Sequence, residues 1–165
     1  MHTKSLSALL TGAILLSGCH SPAPATVAPT ETPVTDSCAV LTPAEISAVI
    51  GVPIDPGQHT LASSDIMCSW SETGASGDAA QKVVLNFTSL VSFQKEEAAS
   101  SRRIILTPAS GIGDEAFYVT TEFGTSLYVR KGSTAISFGI HDKSLAANKL
   151  MAKERALGLK AATRL

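Results

Sequence analysis

Residues 116–141 spell three short runs, AFYVTTEF, TSLYVRK and TAISFGIH, punctuated at Gly124 and at Gly132-Ser133. β-Branched and aromatic residues dominate them, and a strand sends successive side chains to opposite faces. Connections this short join antiparallel neighbours, because a parallel return needs a crossover of about a dozen residues or more. The stretch therefore predicts a three-stranded antiparallel meander, and the rest of the chain has to cover its apolar face.

Two further strands are predicted upstream. Ile66 to Ser71 carries Cys68 and Trp70 on one face, and KVVLNFTSL, residues 82–90, alternates over its whole length. A short strand from Arg102 to Thr107 is ended by Pro108, and Gly111 and Gly113 mark a turn. Helices are predicted at three places. In LTPAEISAVIG, Thr42 caps, Pro43 takes the first helical position, Glu45 completes a capping box and Gly51 stops the helix. Val91 to Ser101 favours a second helix with Phe93 and Ala98 or Ala99 inward. A third runs from about Ser144, with Ala147, Leu150, Met151, Leu157, Ala161 and Leu165 along one stripe and Gly158 as an interruption. The expected class is α+β: a single antiparallel sheet flanked by helices, in the order helix, strands, helix, strands, helix, over residues 37–165.

The N-terminal part follows different rules. His2 and Lys4 precede an apolar run from Leu6 to Leu16, then Ser17, Gly18 and Cys19. A membrane-spanning helix needs about 20 apolar residues, roughly twice this run, so residues 1–18 read as a secretory signal. Leu16-Ser17-Gly18-Cys19 resembles a bacterial lipobox, which implies acylation of the Cys19 thiol and cleavage before it. Two or three acyl chains hold a protein on a membrane effectively permanently. His20, in place of aspartate after the cysteine, implies the periplasmic face of the outer membrane in a cell that has one. Residues 20–36, HSPAPATVAPTETPVTD, contain Pro22, Pro24, Pro29 and Pro33 and no aromatic residue. Such a segment buries too little to offset its ordering entropy, and residues 19–36 are expected to act as a tether reaching up to about 50 Å.

With Cys19 committed to lipid, Cys38 and Cys68 remain as a pair in an oxidising compartment and are expected to form a disulfide. The formal charge of −1 hides a basic end. From Asp142 onward Lys143, Lys149, Lys153, Arg155, Lys160 and Arg164 face only Asp142 and Glu154. They read either as a solvated helix face or as a patch for anionic headgroups, envelope polymers or an acidic partner. Aromatic residues make up 5% of the chain, too few for stacking on bases, and nucleic acid is not an expected partner.

Cys38-Ala-Val-Leu-Thr-Pro-Ala-Glu-Ile with Gly51, then Cys68-Ser-Trp70, then Gly111-Ile-Gly-Asp-Glu-Ala-Phe117 before a hydrophobic hairpin resemble a group of small bacterial lipoproteins built on a domain of unknown function. The resemblance spans most of residues 37–160. It implies the Cys38–Cys68 disulfide and an envelope location, and it implies no activity.

The chemical motifs are weak. Gly111-x-Gly113-x-x-Ala116 matches a dinucleotide fingerprint in spelling, but that motif must open a helix and AFYVT alternates as a strand. Asp114 and Glu115 are adjacent carboxylates that diverge if the chain is extended there. Cys38, Cys68, His59 and His141 are zinc-ligand types without zinc-site spacing. No G-x-S-x-G elbow occurs, and His59 and His141 are the imidazoles a hydrolase could draw on in the folded part. Asn86-Phe87-Thr88 is a glycosylation sequon in spelling alone. No catalytic residue, metal or cofactor is assigned. The expectation is a non-enzymatic envelope module that binds a protein or envelope polymer, of the immunity or inhibitor type. The alternative is a small-ligand carrier or hydrolase with its site between sheet and helix.

Overall fold

Seven antiparallel strands pair in the order β1-β2-β3-β7-β6-β5-β4, so the one non-sequential pairing, β3 with β7, lies at the centre. The computed structural model describes residues 34–77, 80–99, 101 and 103–165, all within one compact unit. The expected signal segment 1–18, Cys19 and the expected tether up to residue 33 lie outside the described residues, as does Arg102. Along the chain come a 3-10 turn (Ser37–Ala39), α1 (Pro43–Ile50), β1 (Gln58–Leu61), β2 (Ser64–Ser71), β3 (Lys82–Thr88), α2 (Leu90–Ala98), β4 (Ile105–Pro108), β5 (Glu115–Thr121), β6 (Gly124–Lys131), β7 (Thr134–His141) and α3 (Ala147–Ala162). Among the described residues no helix is long and apolar enough to cross a membrane.

The expected meander is β5-β6-β7, with its turns at Gly124 and Gly132. Its register explains the core. Cys68, Leu85, Phe138, Leu127 and Tyr118 are successive cross-strand partners, so one row of large side chains runs across β2, β3, β7, β6 and β5. That face packs against Ile46 and Ile50 of α1 and Leu150, Leu157 and Ala161 of α3. The reverse face is not bare, as covering a single apolar face would have it. Phe93 of α2 seats on Phe117, Val119 and Ala135, with its ring edge-on to Phe117 at 5.0 Å, while Phe117 stacks on Tyr128 at 5.1 Å. Helices therefore flank both faces.

Several boundaries differ from the sequence reading. Ser89 accepts a hydrogen bond from the Ser92 N–H, so its side chain ends β3 and starts α2 at Leu90. Within α2 only Phe93 is buried; Ala98 is exposed. Gln58–Leu61 forms an additional edge strand, and Pro108 is accommodated at the end of β4 because β4 is the other edge. α3 begins at Ala147 and runs through Gly158 unbroken. A Cβ there would lie 2.6 Å from Leu127 Cδ2 and 3.2 Å from Phe138 Cζ, so the glycine sets how closely α3 approaches the sheet.

α1 has the predicted capping box, with Glu45 N–H donating to Thr42 Oγ1 and the Glu45 carboxylate accepting from the Thr42 N–H. Gly51 ends it at φ 93°. Both of its ends are also held by α3 and the residues after it. Lys153 Nζ donates to the Ile50 carbonyl at 2.6 Å, and Arg164 makes paired bonds to Glu45 at 2.8 and 2.9 Å and reaches the Val40 carbonyl. The Arg164 guanidinium holds the Glu45 carboxyl down at about 2. Two cations of the basic end are thus internal ties.

Cys38 and Cys68 are joined by a disulfide with Cα atoms 5.1 Å apart, closing a sequence separation of 30 residues. In the chain-entropy treatment a loop of that size stabilises by about 3.5 kcal/mol. Replacing both cysteines with alanine is expected to lower unfolding free energy by about 3 kcal/mol in urea titration, and the denatured, unreduced chain should show no free thiol from either position.

Candidate functional site

The loops at one end of the sheet carry two exposed apolar side chains and the clefts around them. The start of β4, the β5–β6 turn, the end of β7 and the start of β3 all lie there. Glu122 and Phe123 form the two-residue tip between Thr121 and Gly124, and the Phe123 N–H donates to Thr121 Oγ1. Phe123 is 89% exposed and Ile105, near it at the start of β4, is 62% exposed. Three clefts open around them. One of about 340 Å³ is lined by Lys82, Val84, Phe123, Ile140, His141 and Leu150, a second runs along Val119, Ser126 and Tyr128, and a third lies between Arg103, Ile105 and Glu122.

Lys82, Arg103, Lys143 and Lys149 belong to this end, the last in the first turn of α3, together with Asp55, Glu72, Glu122 and Asp142. The basic end of the chain is therefore not one patch: Lys153 and Arg164 tie α1, Arg155 lies by Gly111 and Tyr118, and Lys143 lines a cleft.

Of the candidate ligand residues singled out by sequence, Cys38, Cys68 and His59 come together, and His141 does not join them. His141 lines the cleft beside Lys82, but His59 is on β1, separated from β7 by β2 and β3. His59 Nε2 lies 2.8 Å from Asp36 Oδ1, and Nδ1 lies 3.7 Å from Asp65, so both ring nitrogens face carboxylates. Gly111 and Gly113 form a left-handed turn that enters β5, not a helix. A Cβ at Gly113 would lie 2.4 Å from the Arg130 carbonyl, which explains the glycine without a cofactor. Asp114 and Glu115 do not diverge into separate roles: Arg130 Nε donates to Glu115 at 2.9 Å and its NH1 lies 3.7 Å from Asp114, which also accepts from the Gly132 N–H. The Arg130 guanidinium lowers the Glu115 pKa, and Glu97 of α2, beside Glu115, is raised by it. The cluster clamps β5 to β6.

One residue escaped the sequence reading. Glu154 is fully buried on the sheet-facing side of α3, four residues after Leu150 and three before Leu157. Its place on the apolar stripe was the available signal. Oε1 accepts the Ile140 N–H at 3.4 Å, and the buried Thr125 hydroxyl lies beside the carboxyl. Burial raises its pKa to about 7, with the Thr125 hydroxyl and the Ile140 N–H opposing the rise.

A carboxyl whose folded pKa exceeds its unfolded value stabilises the fold most when protonated. Its contribution is fully present below about 4.5 and is lost as pH rises through about 7. The difference corresponds to about 3 kcal/mol. Chemical denaturation from pH 4.5 to 8 should show that loss in the native chain and a nearly flat profile in Glu154→Gln. No protein-family model matches the chain, and neither the curated proteins nor the solved structures compared with it contain a match.

Proposed function

We propose that the chain is an envelope binding module, held to a membrane by lipid on Cys19. Its partner is a protein that takes Phe123 into an apolar socket rimmed by acidic groups. The exposure of Phe123 carries the reading. Burying a phenyl ring in a partner contributes about 1.5–3 kcal/mol, and desolvated aromatic anchors dominate interface energies. The ring stands on a tight turn between two paired strands, so little ordering remains to be done on binding. Lys82 and Lys143, which line the same cleft as Phe123, favour acidic groups on the partner's rim.

The packed interior supports a binder over a carrier with an internal site. The space between the sheet and α1 and α3 is occupied by Leu85, Leu127, Phe138, Ile46 and Leu157, all buried. An immunity or inhibitor role suits a tethered module of this kind, since a leash raises local concentration at the surface it guards. The cleft between Lys82, His141 and Leu150 supports a second reading, a small anionic ligand.

Two measurements bear on the proposal. Cys19→Ser should release a folded protein from membranes; retention equal to the native chain would count against the anchor. The released chain, used as bait on envelope extract, should retain a partner that Leu61→Ser also retains and Phe123→Ser loses. Equal capture by Phe123→Ser would overturn the assignment of this end, and loss in Lys82→Ala with binding of a small anion would favour the second reading.

A further inference from the structure

We propose that the Cys38–Cys68 disulfide masks a metal site: once it is reduced, the two thiolates join His59 and Asp36 as the four ligands of a zinc-type divalent cation. The inference is independent of the partner surface, which lies elsewhere on the sheet. Three segments bring the donors together. The 3-10 turn and its cap supply Cys38 and Asp36, β1 supplies His59 and β2 supplies Cys68, the direct cross-strand partner of His59. The Asp36 carboxylate, the Cys38 sulfur and the His59 ring nitrogen all lie within 4.8 Å of one another, and the Cys68 sulfur is bonded to that of Cys38.

In the oxidised chain the cluster offers only one imidazole and one carboxylate, because a thiolate and not a disulfide sulfur ligates zinc. Reduction supplies the missing half. A dithiol reductant transfers two electrons and two protons to the disulfide and becomes a disulfide itself, leaving two thiols. The cation then displaces both thiol protons, which makes binding stronger as pH rises. Two thiolates, an imidazole and a carboxylate suit zinc among the common divalent ions.

The geometry is close to what such an ion requires. Ligand bonds of about 2.0–2.3 Å place tetrahedral donors about 3.3–3.8 Å apart. The Asp36 oxygen and the His59 nitrogen, 2.8 Å apart, must part by about 0.5 Å, the Cys38 sulfur, within 4.8 Å of both, must close by about 1.5 Å at most, and the two sulfurs must part to about 3.8 Å. Asp36 and His59 are partly exposed and on short elements, so they can move, whereas Cys68 is buried on β2. His59 presents Nε2 toward the site, 2.8 Å from Asp36, and Nδ1 toward the Asp65 carboxylate at 3.7 Å. A carboxylate behind the second ring nitrogen is the usual orienting partner of a metal-bound imidazole. Gly57 closes over the sulfurs without a side chain; a Cβ there would lie 2.7 Å from Cys68 Sγ.

The test uses the full chain carrying Cys19→Ser, so that only Cys38 and Cys68 supply sulfur. After reduction with a phosphine, cobalt(II) should bind at one equivalent with a thiolate-to-cobalt charge-transfer band and the visible bands of a tetrahedral ion, and zinc should displace it. His59→Ala should weaken zinc at least tenfold and Asp65→Asn severalfold, and the unreduced chain should show no charge-transfer band. Far-ultraviolet circular dichroism and the emission of Trp70, the one tryptophan, follow folding in the same samples. A reduced, folded chain without the charge-transfer band would overturn the proposal, as would equal zinc affinity in His59→Ala. If reduction unfolds the chain, zinc should restore the folded spectrum, and failure to do so would overturn it equally.

Discussion

The seating of α3 on β6 and β7 at Gly158 governs the rest of the fold. With no side chain at that position, the helix backbone comes down onto Leu127 and Phe138, the centre of the row of large residues that crosses five strands. At that distance Lys153 and Arg164 reach α1, and Glu154 is fully buried against the sheet. Helix docking, the position of α1 and the buried carboxyl are therefore one arrangement. A cavity or an added methyl at this contact acts on all three, because close-packed interiors transmit small displacements.

The same docking decides which parts of the molecule are available for recognition. It consumes the apolar side chains of the sheet face below α1 and α3, and α2 consumes the aromatic cluster on the reverse face. Phe123 and Ile105 stay exposed at the loop end, beside Lys82, Arg103 and Lys143, while Leu61, Ile66 and Val91 are exposed elsewhere. A rigid sheet with its variable chemistry on the connecting loops is a common division of labour, since loops can change without disturbing the core.

Much of this was legible from the order of residues. The meander followed from alternation and glycine punctuation, α1 from Thr42, Pro43 and Gly51, and the pairing of Cys38 with Cys68 from cysteine arithmetic and the resemblance. What was not legible depends on partners distant in the chain. Gly158 reads as a helix breaker until the sheet beneath it is known. Glu154 reads as surface charge because a carboxylate on an apolar stripe violates the usual pattern, and only its surroundings show that it is buried. Ser89 looked like the end of a strand because its capping bond is to a residue three positions on. Asp114 and Glu115 looked divergent because the long Arg130 side chain that gathers both comes from the neighbouring strand. Phe123 closes an alternating run in the sequence, and only the two-residue turn puts it at a tip. His59 and Asp36, 23 positions apart, carry no local signature at all.

The central pairing of β3 with β7 imposes an order on assembly. The two strands are separated in the chain by α2 and three further strands, so a nascent or truncated polypeptide ending before residue 134 has an unpaired β3 edge in the middle of its future sheet. Exposed edges of that kind invite pairing with other chains, and non-local pairing is slow to form. The polypeptide therefore gains from being kept unfolded until its last strand and last helix have been made.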